Sequence, residues 1–462
     1  MRIACVHVPQ FALQTLTRID PSLRGAAVAV VGAGHDGALP ALGDHARRAL
    51  TTPVVQACSR AAWGLGVRLG MTATSANSLA PGQLRVVTAD PRIERETVRA
   101  IADALLAVSA QVDVGGRIGA GGAHLAMYCE VPSKTRGTSY GDRLLEVLAS
   151  LGLTARIGIA DDRFTAWVAA ATAPHGDDES GVVSVPRGGS AAFLAPRPLS
   201  LLAISSEVQH MLESLGVRTL GEFAALPAPS VARPLEADYQ ALARGEGGQG
   251  LRAYVPDAPI REELVVSPGG DAPAPAGAAI ALLAERIALR LAGRGRGAAR
   301  LEIVVAGPGG ESVVPVAPLA SPSGAGDEDA SAGRVLETAD EIAGAIEQGV
   351  ATAREAGDGA GAIWRLRVAV IGEAIPGDAS ATELVTPQVA PAPTTPIDAL
   401  SVVLSSTGSG AWRLTSPLAS AQAALRSERR DAHRRTRRGK QHRRLRAIAE
   451  ASVQPGLFAE RK

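Results

Sequence analysis

The chain begins MRIACVHVPQFALQ, and the first side chain in it that could serve a site is His7. Residues 2–6 read as a strand, and a strand that stops at a polar residue often delivers that residue to a site. A neutral imidazole binds softer metals; it does not replace a hard anionic oxygen around Mg²⁺. The plainer reading is a partly buried polar residue with no catalytic role. At the other end, Gln454-Pro455-Gly456-Leu457-Phe458 sets two adjacent apolar anchors three residues after an amide. That is a docking chemistry, because a pair of buried apolar anchors carries most of the energy of a small interface. Two further patterns are weak. VVGAGHDG (Gly32, Gly34, Gly37) matches GxGxxG, but Pro40 follows closely and residues 52–58 hold no acid to take a ribose, so a Gly-rich loop is expected. His433 and His442 stand among arginines that repel a metal.

The elements that must position these residues follow from composition and periodicity. The chain has 462 residues, 46% of them hydrophobic but only 3% aromatic, so its core is built of Ala, Val and Leu. The 51 Gly and 30 Pro accompany abundant Ala and Arg, so single glycines carry little meaning. Cys5, Cys58 and Cys129 are far apart and read as free thiols of a reducing compartment. No apolar run reaches the roughly 18–20 residues that span a bilayer, and a cytoplasmic protein without membrane attachment is expected. The net charge of +1 hides an asymmetry: residues 426–446 carry 11 Lys/Arg against Glu428 and Asp431, and residues 1–425 carry a net −8. An acidic body with a basic arm attracts polyanions through the arm.

Strands alternate with helices to about residue 180. RIACVHV, AAVAVVGAG, PVVQAC, QLRVVTAD, HLAMYCEV and TARIGIA read as strands. RIERETVRAIADALLAVSA, YGDRLLEVLASLGL and DRFTAWVAAATA read as helices. This is the pattern of an α/β domain. SSEVQHMLESLGVRTLGEFAAL reads as a helix-hairpin-helix, whose turn at Gly216 and Val217 is expected to present N–H groups to a phosphate. A second α/β stretch covers residues 260–415 with 19 acidic against 11 basic residues. Its acidic run Asp327-Glu328-Asp329 is read as a solvated loop, and TPQVAPAPTTP as an extended linker.

Four segments, in this order and spacing, resemble the Y-family (translesion) DNA polymerases: DPSLRGAAVAVV, CSRAAWGLGVRLGM, ARIGIADDRFTAWVAAATAP and SLGVRTLGEFAALP. The resemblance implies a palm at 1–10 and 84–180, fingers at 11–83, a thumb at 181–258, a little-finger-like domain at 260–415 and a basic tail at 416–462. It also implies two metal ions held by palm carboxylates. The family places an Asp at the end of the first strand, where His7 stands. Its later Asp-Glu pair falls on Gly115 and Gly116, in SAQVDVGGRIGAGG. Its triphosphate contacts fall on Arg60 and Trp63 in the fingers motif and on Trp167 in the palm helix. Asp113 is the nearby acid, and one carboxylate does not hold two metals. The chain thus resembles the ImuB group, Y-family-like proteins without the catalytic carboxylates. That resemblance implies a non-catalytic scaffold with no cofactor of its own. Its partners would be an error-prone DnaE-type polymerase and a RecA-related accessory protein in a DNA-damage mutagenesis complex.

The tail then gains a meaning. Gln454, Leu457 and Phe458 fit the short peptide that docks on the bacterial DNA sliding clamp, and Pro455 pre-sets an extended backbone. Three readings stand for the arm of Arg429, Arg430, Arg434, Arg435, Arg437, Arg438, Lys440, Arg443, Arg444 and Arg446. It holds DNA phosphates weakly and without sequence preference, it docks an acidic partner, or it is a solvated linker. Two rivals to the scaffold remain at this level. One is a divergent active polymerase that uses Asp113 and unaligned acids. The other is a DNA-binding or regulatory module that keeps the fold for protein contacts.

Overall fold

The computed structural model describes residues 1–32, 53–118, 123–133, 137–174, 181–204, 206–227, 234–247, 250–266, 276–307, 310–316, 335–356 and 363–375, with short strand pairs at 406–407 and 411–412. The chain opens with β1 (Ile3–Val8), all six residues of which are buried. β1 lies between two antiparallel neighbours, so its apolar run is continuous rather than alternating. The strand read as RIACVHV is present, and it runs through His7 to Val8. His7 is therefore held inside the sheet, not presented at its end.

Helix α1 (Phe11–Ile19) follows a left-handed residue, Gln10, whose N–H donates to His124 Nδ1 and whose Oε1 accepts from Cys58 N. Next come β2 (Val28–Gly32), β3 (Val54–Cys58), the short helices α2 (Arg60–Gly64) and α3 (Ala73–Leu79), and β4 (Arg85–Thr88). These three strands form a separate sheet in the order β3-β2-β4. Asp90 caps the N-terminus of α4 (Pro91–Leu106), with Pro91 in the first turn, where its missing N–H costs nothing.

Then follow β5 (Val112–Ile118), β6 (His124–Glu130), α5 (Gly137–Ser150), β7 (Arg156–Ala160), α6 (Arg163–Ala171) and β8 (Val182–Ser184). They complete a five-stranded sheet of order β5-β6-β1-β7-β8. On one face, Val6 and Val8 pack with Ile101 and Leu105 of α4 and Leu144 and Leu148 of α5. On the other, Ile3 and Cys5 pack with Ala166, Ala169 and Ala170 of α6. All three cysteines are free and buried.

A helical stretch follows: α7 (Ser190–Leu194), α8 (Ser206–Ser214), α9 (Leu220–Ala224) and α10 (Pro234–Ala243), around Leu212, Leu220, Phe223 and Tyr239. The second α/β stretch comprises β9 (Arg261–Val265), α11 (Ala276–Arg294), β10 (Gly297–Gly307), β11 (Gly310–Val316), α12 (Ala339–Ala356) and β12 (Arg365–Ala374). Its sheet has the order β11-β10-β12-β9, and Leu301, Ile303, Leu366 and Val368 pack under Leu283, Ile287, Ile342 and Ile346. The mixed α/β class is as expected. β11 went unread because it carries Pro315, which a sheet tolerates at an edge strand, and β11 is at the edge. α12 begins at Ala339, later than its periodicity predicts, because Leu336 is bridged to Ala298.

Candidate functional site

The site is the α6 side of the five-stranded sheet. Cross-strand register sets its layout. His7 of β1 is opposite Ala126 of β6, which is opposite Gly116 of β5. His7 and Gly116 thus share a face and a level but stand two strand spacings apart, about 9–10 Å. A register shift falls between Asp113 and Gly116, and Gly115 takes φ +58° there. A Cβ on Gly115 would lie 2.1 Å from the Ala126 carbonyl oxygen, so the irregularity requires glycine. Gly115 thus has a structural reason of its own, which the sequence did not reveal.

His7 is 4% exposed, and its Nδ1 is buried without a hydrogen-bond partner. Its ring centroid is 5.2 Å from that of His124. Burial, then the neighbouring His124 and Arg156, push its pKa down to about 3. It is a neutral imidazole throughout the physiological range.

Asp113 is fully engaged by the protein. Its Oδ1 accepts from Gly115 N at 2.8 Å, and its Oδ2 accepts from Arg163 Nη1 and from Arg252 N, each at 2.7 Å. The Arg163 guanidinium also lies 4.2 Å over the Tyr128 ring. This carboxylate ties β5 to α6 and to the segment that leads into β9. Among the described residues, no group of three or more His, Cys, Asp or Glu is placed to hold a metal ion. A buried imidazole and one carboxylate already saturated with N–H donors do not fit the hard-oxygen shell that Mg²⁺ needs.

That bonding gives a test. Asp113→Asn is expected to destabilise the fold by about 2 kcal/mol in urea unfolding, because it leaves Arg163 without its counter-charge. A carboxylate reserved for a metal would show the opposite sign, since its neutralisation would relieve unpaired charge.

Of the remaining residues singled out by sequence, Trp167 packs against this face, and Arg60 and Trp63 lie on α2 beside the separate three-stranded sheet. Arg60 is exposed in the first turn of α2. Trp63 is 49% exposed, with Arg68 stacked 4.0 Å over its ring. Trp167 sits on α6, packed between the helical stretch and the sheet, with Nε1 buried and unpartnered. At the hairpin turn, the two N–H groups expected to face phosphate are occupied. Gly216 N donates to Glu213 O at 3.0 Å and Val217 N to Leu212 O at 2.9 Å, closing the C-terminus of α8. The next two, Arg218 N and Thr219 N, donate to Glu222 Oε2 at 2.7 and 2.9 Å. These hydrogen bonds hold the Glu222 carboxylate below its ordinary range, so an anion stands on the N–H groups next to the turn where a phosphate was expected. The positions of Gly34 and Gly37, the 327–329 run, the basic arm and Gln454, Leu457 and Phe458 lie outside the described residues.

Sequence reasoning missed His124, Tyr128, Arg156 and Arg163. None carries a local signal; each reaches the site through strand pairing or the placement of α6.

Residues 6–171, the stretch that holds this face, match the model of the impB/mucB/samB family. Over that stretch the chain is therefore similar to the impB/mucB/samB family. The chain is similar to DNA polymerase IV of Dehalococcoides mccartyi, 33% identical over 182 residues, or 38% of this chain and 43% of that protein. It is also similar to Protein ImuB of Caulobacter vibrioides, 28% identical over 258 residues, or 52% of this chain and 51% of that protein. The alignments thus span about half the length of these relatives or less. Among solved structures, DinB from Sulfolobus solfataricus matches 80% of this chain and 98% of its own at 15% identity and a TM-score of 0.43. An insertion ternary complex of Dbh DNA polymerase matches with the same coverage at 14% identity and a TM-score of 0.44. Among the described residues, no helix is long and apolar enough to cross a membrane.

Proposed function

We propose that the chain is a polymerase-like scaffold that recruits and does not synthesise. In this reading it serves a bacterial DNA-damage mutagenesis complex, bringing an error-prone DnaE-type polymerase to a sliding clamp on DNA with a RecA-related accessory protein. One observation carries the reading: the acid on the His7 face, Asp113, is already bound by Arg163, Arg252 N and Gly115 N. His7, on the same face of the sheet, is buried and neutral. Two further features fit. The hairpin N–H groups that would hold a DNA phosphate are occupied by backbone carbonyls, and a carboxylate takes the next two N–H groups. On the second sheet, Arg365 and Arg367 are paired with Glu263, which weakens the pull of that surface on a polyanion. Recruitment then rests on the tail, where the clamp peptide and the basic arm act as two weak tethers in one segment.

The test is primer extension by the purified chain on a primed template with Mg²⁺ or Mn²⁺. No incorporated nucleotide is expected at enzyme concentrations where an active translesion polymerase completes extension. Incorporation that survives His7→Ala and is abolished by Asp113→Ala would replace this reading with that of a divergent polymerase.

A further inference from the structure

The segment that leads into β9 leaves a cavity of about 380 Å³ against the C-terminal ends of α11 and β12. Pro256 and Pro259 line it from the segment, and Val370 and Ile371 line it from β12. Two hydrogen bonds hold the segment against this wall: Arg294 Nη2 donates to Ala258 O and Val370 N donates to Ile260 O, each at 2.9 Å. Arg99 of α4 adds an ion pair to Asp257 at 3.4 Å. The strand is irregular where it borders the cavity. Register shifts against β10 fall between Ala298 and Arg300 and between Arg300 and Leu301, which leaves Ile371 without a partner residue there. An irregularity of this kind ends regular pairing and re-aims side chains.

The rim is apolar as well as the wall. Val255, next to Pro256, is 73% exposed, and Ile375, just past β12, is 46% exposed. A cavity with an apolar wall and an exposed apolar rim marks an interaction surface. Its charges are mostly committed. Glu373 pairs with Arg294 at 2.6 Å, Arg294 also pairs with Asp103, and Asp257 pairs with Arg99. Arg296 lines the cavity too, and among the described residues no carboxylate pairs with it. The free charge is positive. The matching occupant carries adjacent apolar side chains with a carboxylate close by.

The chain holds such a segment. Leu457 and Phe458 are adjacent, and Glu460 follows. The second α/β stretch ends at the rim of the cavity, through Ile375. A chain of about 80 residues, as separates Ile375 from Leu457, spans ~50 Å at random-coil dimensions, so reach does not limit the contact. The tether makes binding intramolecular, and a weak contact is then well populated. We infer that this cavity is a docking site for the chain's own tail, with Leu457 and Phe458 on the proline and β12 wall and Glu460 at Arg296. The same two apolar side chains then face either the body or a clamp, so the body holds the peptide back from the clamp. The docking does not depend on the recruiting role; the competition with a clamp does.

The experiment is disulfide trapping in the full chain. Ala258→Cys lines the cavity and Ala459→Cys follows Phe458, while Cys5, Cys58 and Cys129 are buried and stay out of the reaction. The control pairs Ala459→Cys with Ser78→Cys, an exposed position on α3. At low protein concentration the cavity pair is expected to close within one chain about tenfold faster than the control, or more. Adding Leu457→Ala and Phe458→Ala is expected to bring its rate down to that of the control. Arg296→Glu is expected to slow it about threefold or more, because the charge facing Glu460 is reversed. Equal rates in the cavity and control pairs would overturn the inference. So would fast closure that ignores both sets of substitutions. A cross-link that forms only between chains and rises with protein concentration would also overturn it, and would give the cavity to a second copy. Purified clamp is expected to slow the closure. Fast, tail-dependent closure that clamp leaves unchanged would keep the docking site and overturn the competition.

Discussion

Replacing Leu457 and Phe458 by Ala is expected to lower affinity for the bacterial sliding clamp by about 100-fold or more, with the fold unchanged. Each anchor buries an apolar side chain worth roughly 1.5–3 kcal/mol, and 1.4 kcal/mol is a factor of ten in binding. Two such anchors side by side in a short peptide leave little energy for the rest, so both must be lost to see the full effect. Gln454→Ala is expected to cost about tenfold, the scale of one or two interfacial hydrogen bonds. Calorimetry with purified clamp, on the intact chain and the double variant, measures this directly. Undiminished binding in the double variant would remove the clamp from the proposed function. The polymerase partner would then have to be found through the body of the protein.

The second large effect is on stability against pH. His7 titrates near 6.5 when exposed and near 3 in the folded chain. Below pH 6.5 the unfolded chain takes up a proton that the folded chain refuses. The stability this gives is complete above about pH 6.5 and is lost as pH falls toward 3. Between pH 7 and pH 4 the loss from this one group is about 3 kcal/mol, at 1.36 kcal/mol per pKa unit. Other groups titrate in the same range, so the measurement is a difference. Urea unfolding of the parent and of His7→Leu at the two pH values should show a shallower pH dependence in the variant. His7 Nδ1 has no partner to lose, so an apolar residue forfeits no hydrogen bond at that atom. Equal pH slopes would mean that water reaches the imidazole, and that this face of the sheet is open.

How much of this was legible in the chain differs from feature to feature. Local chemistry fixed the alternation of strands and helices to residue 171, because side-chain period and caps such as Asp90-Pro91 act within a few residues. It also placed the hairpin between α8 and α9, though not what that hairpin does. Glycines there suggested open N–H donors, but a helix end satisfies its own last turn first, and Gly216 and Val217 are used for that. His7 was visible as a residue out of place for a metal site. Its depth was not, because β1 is flanked by β6 and β7, and pairing partners more than a hundred residues away carry no local signal.

By itself, then, the sequence determined the α/β class, the polymerase-like order of segments, the acidic body, the basic arm and the Gln-x-x-Leu-Phe spacing of the tail, all of which depend on residue type and short spacing. Only the tertiary structure decided that Asp113 is bound by α6 and the segment before β9, and that Arg290 and Arg294 of α11 converge on Asp103. The reason is physical. A buried charge is given its meaning by the groups that fold around it, and those groups come from distant parts of the chain.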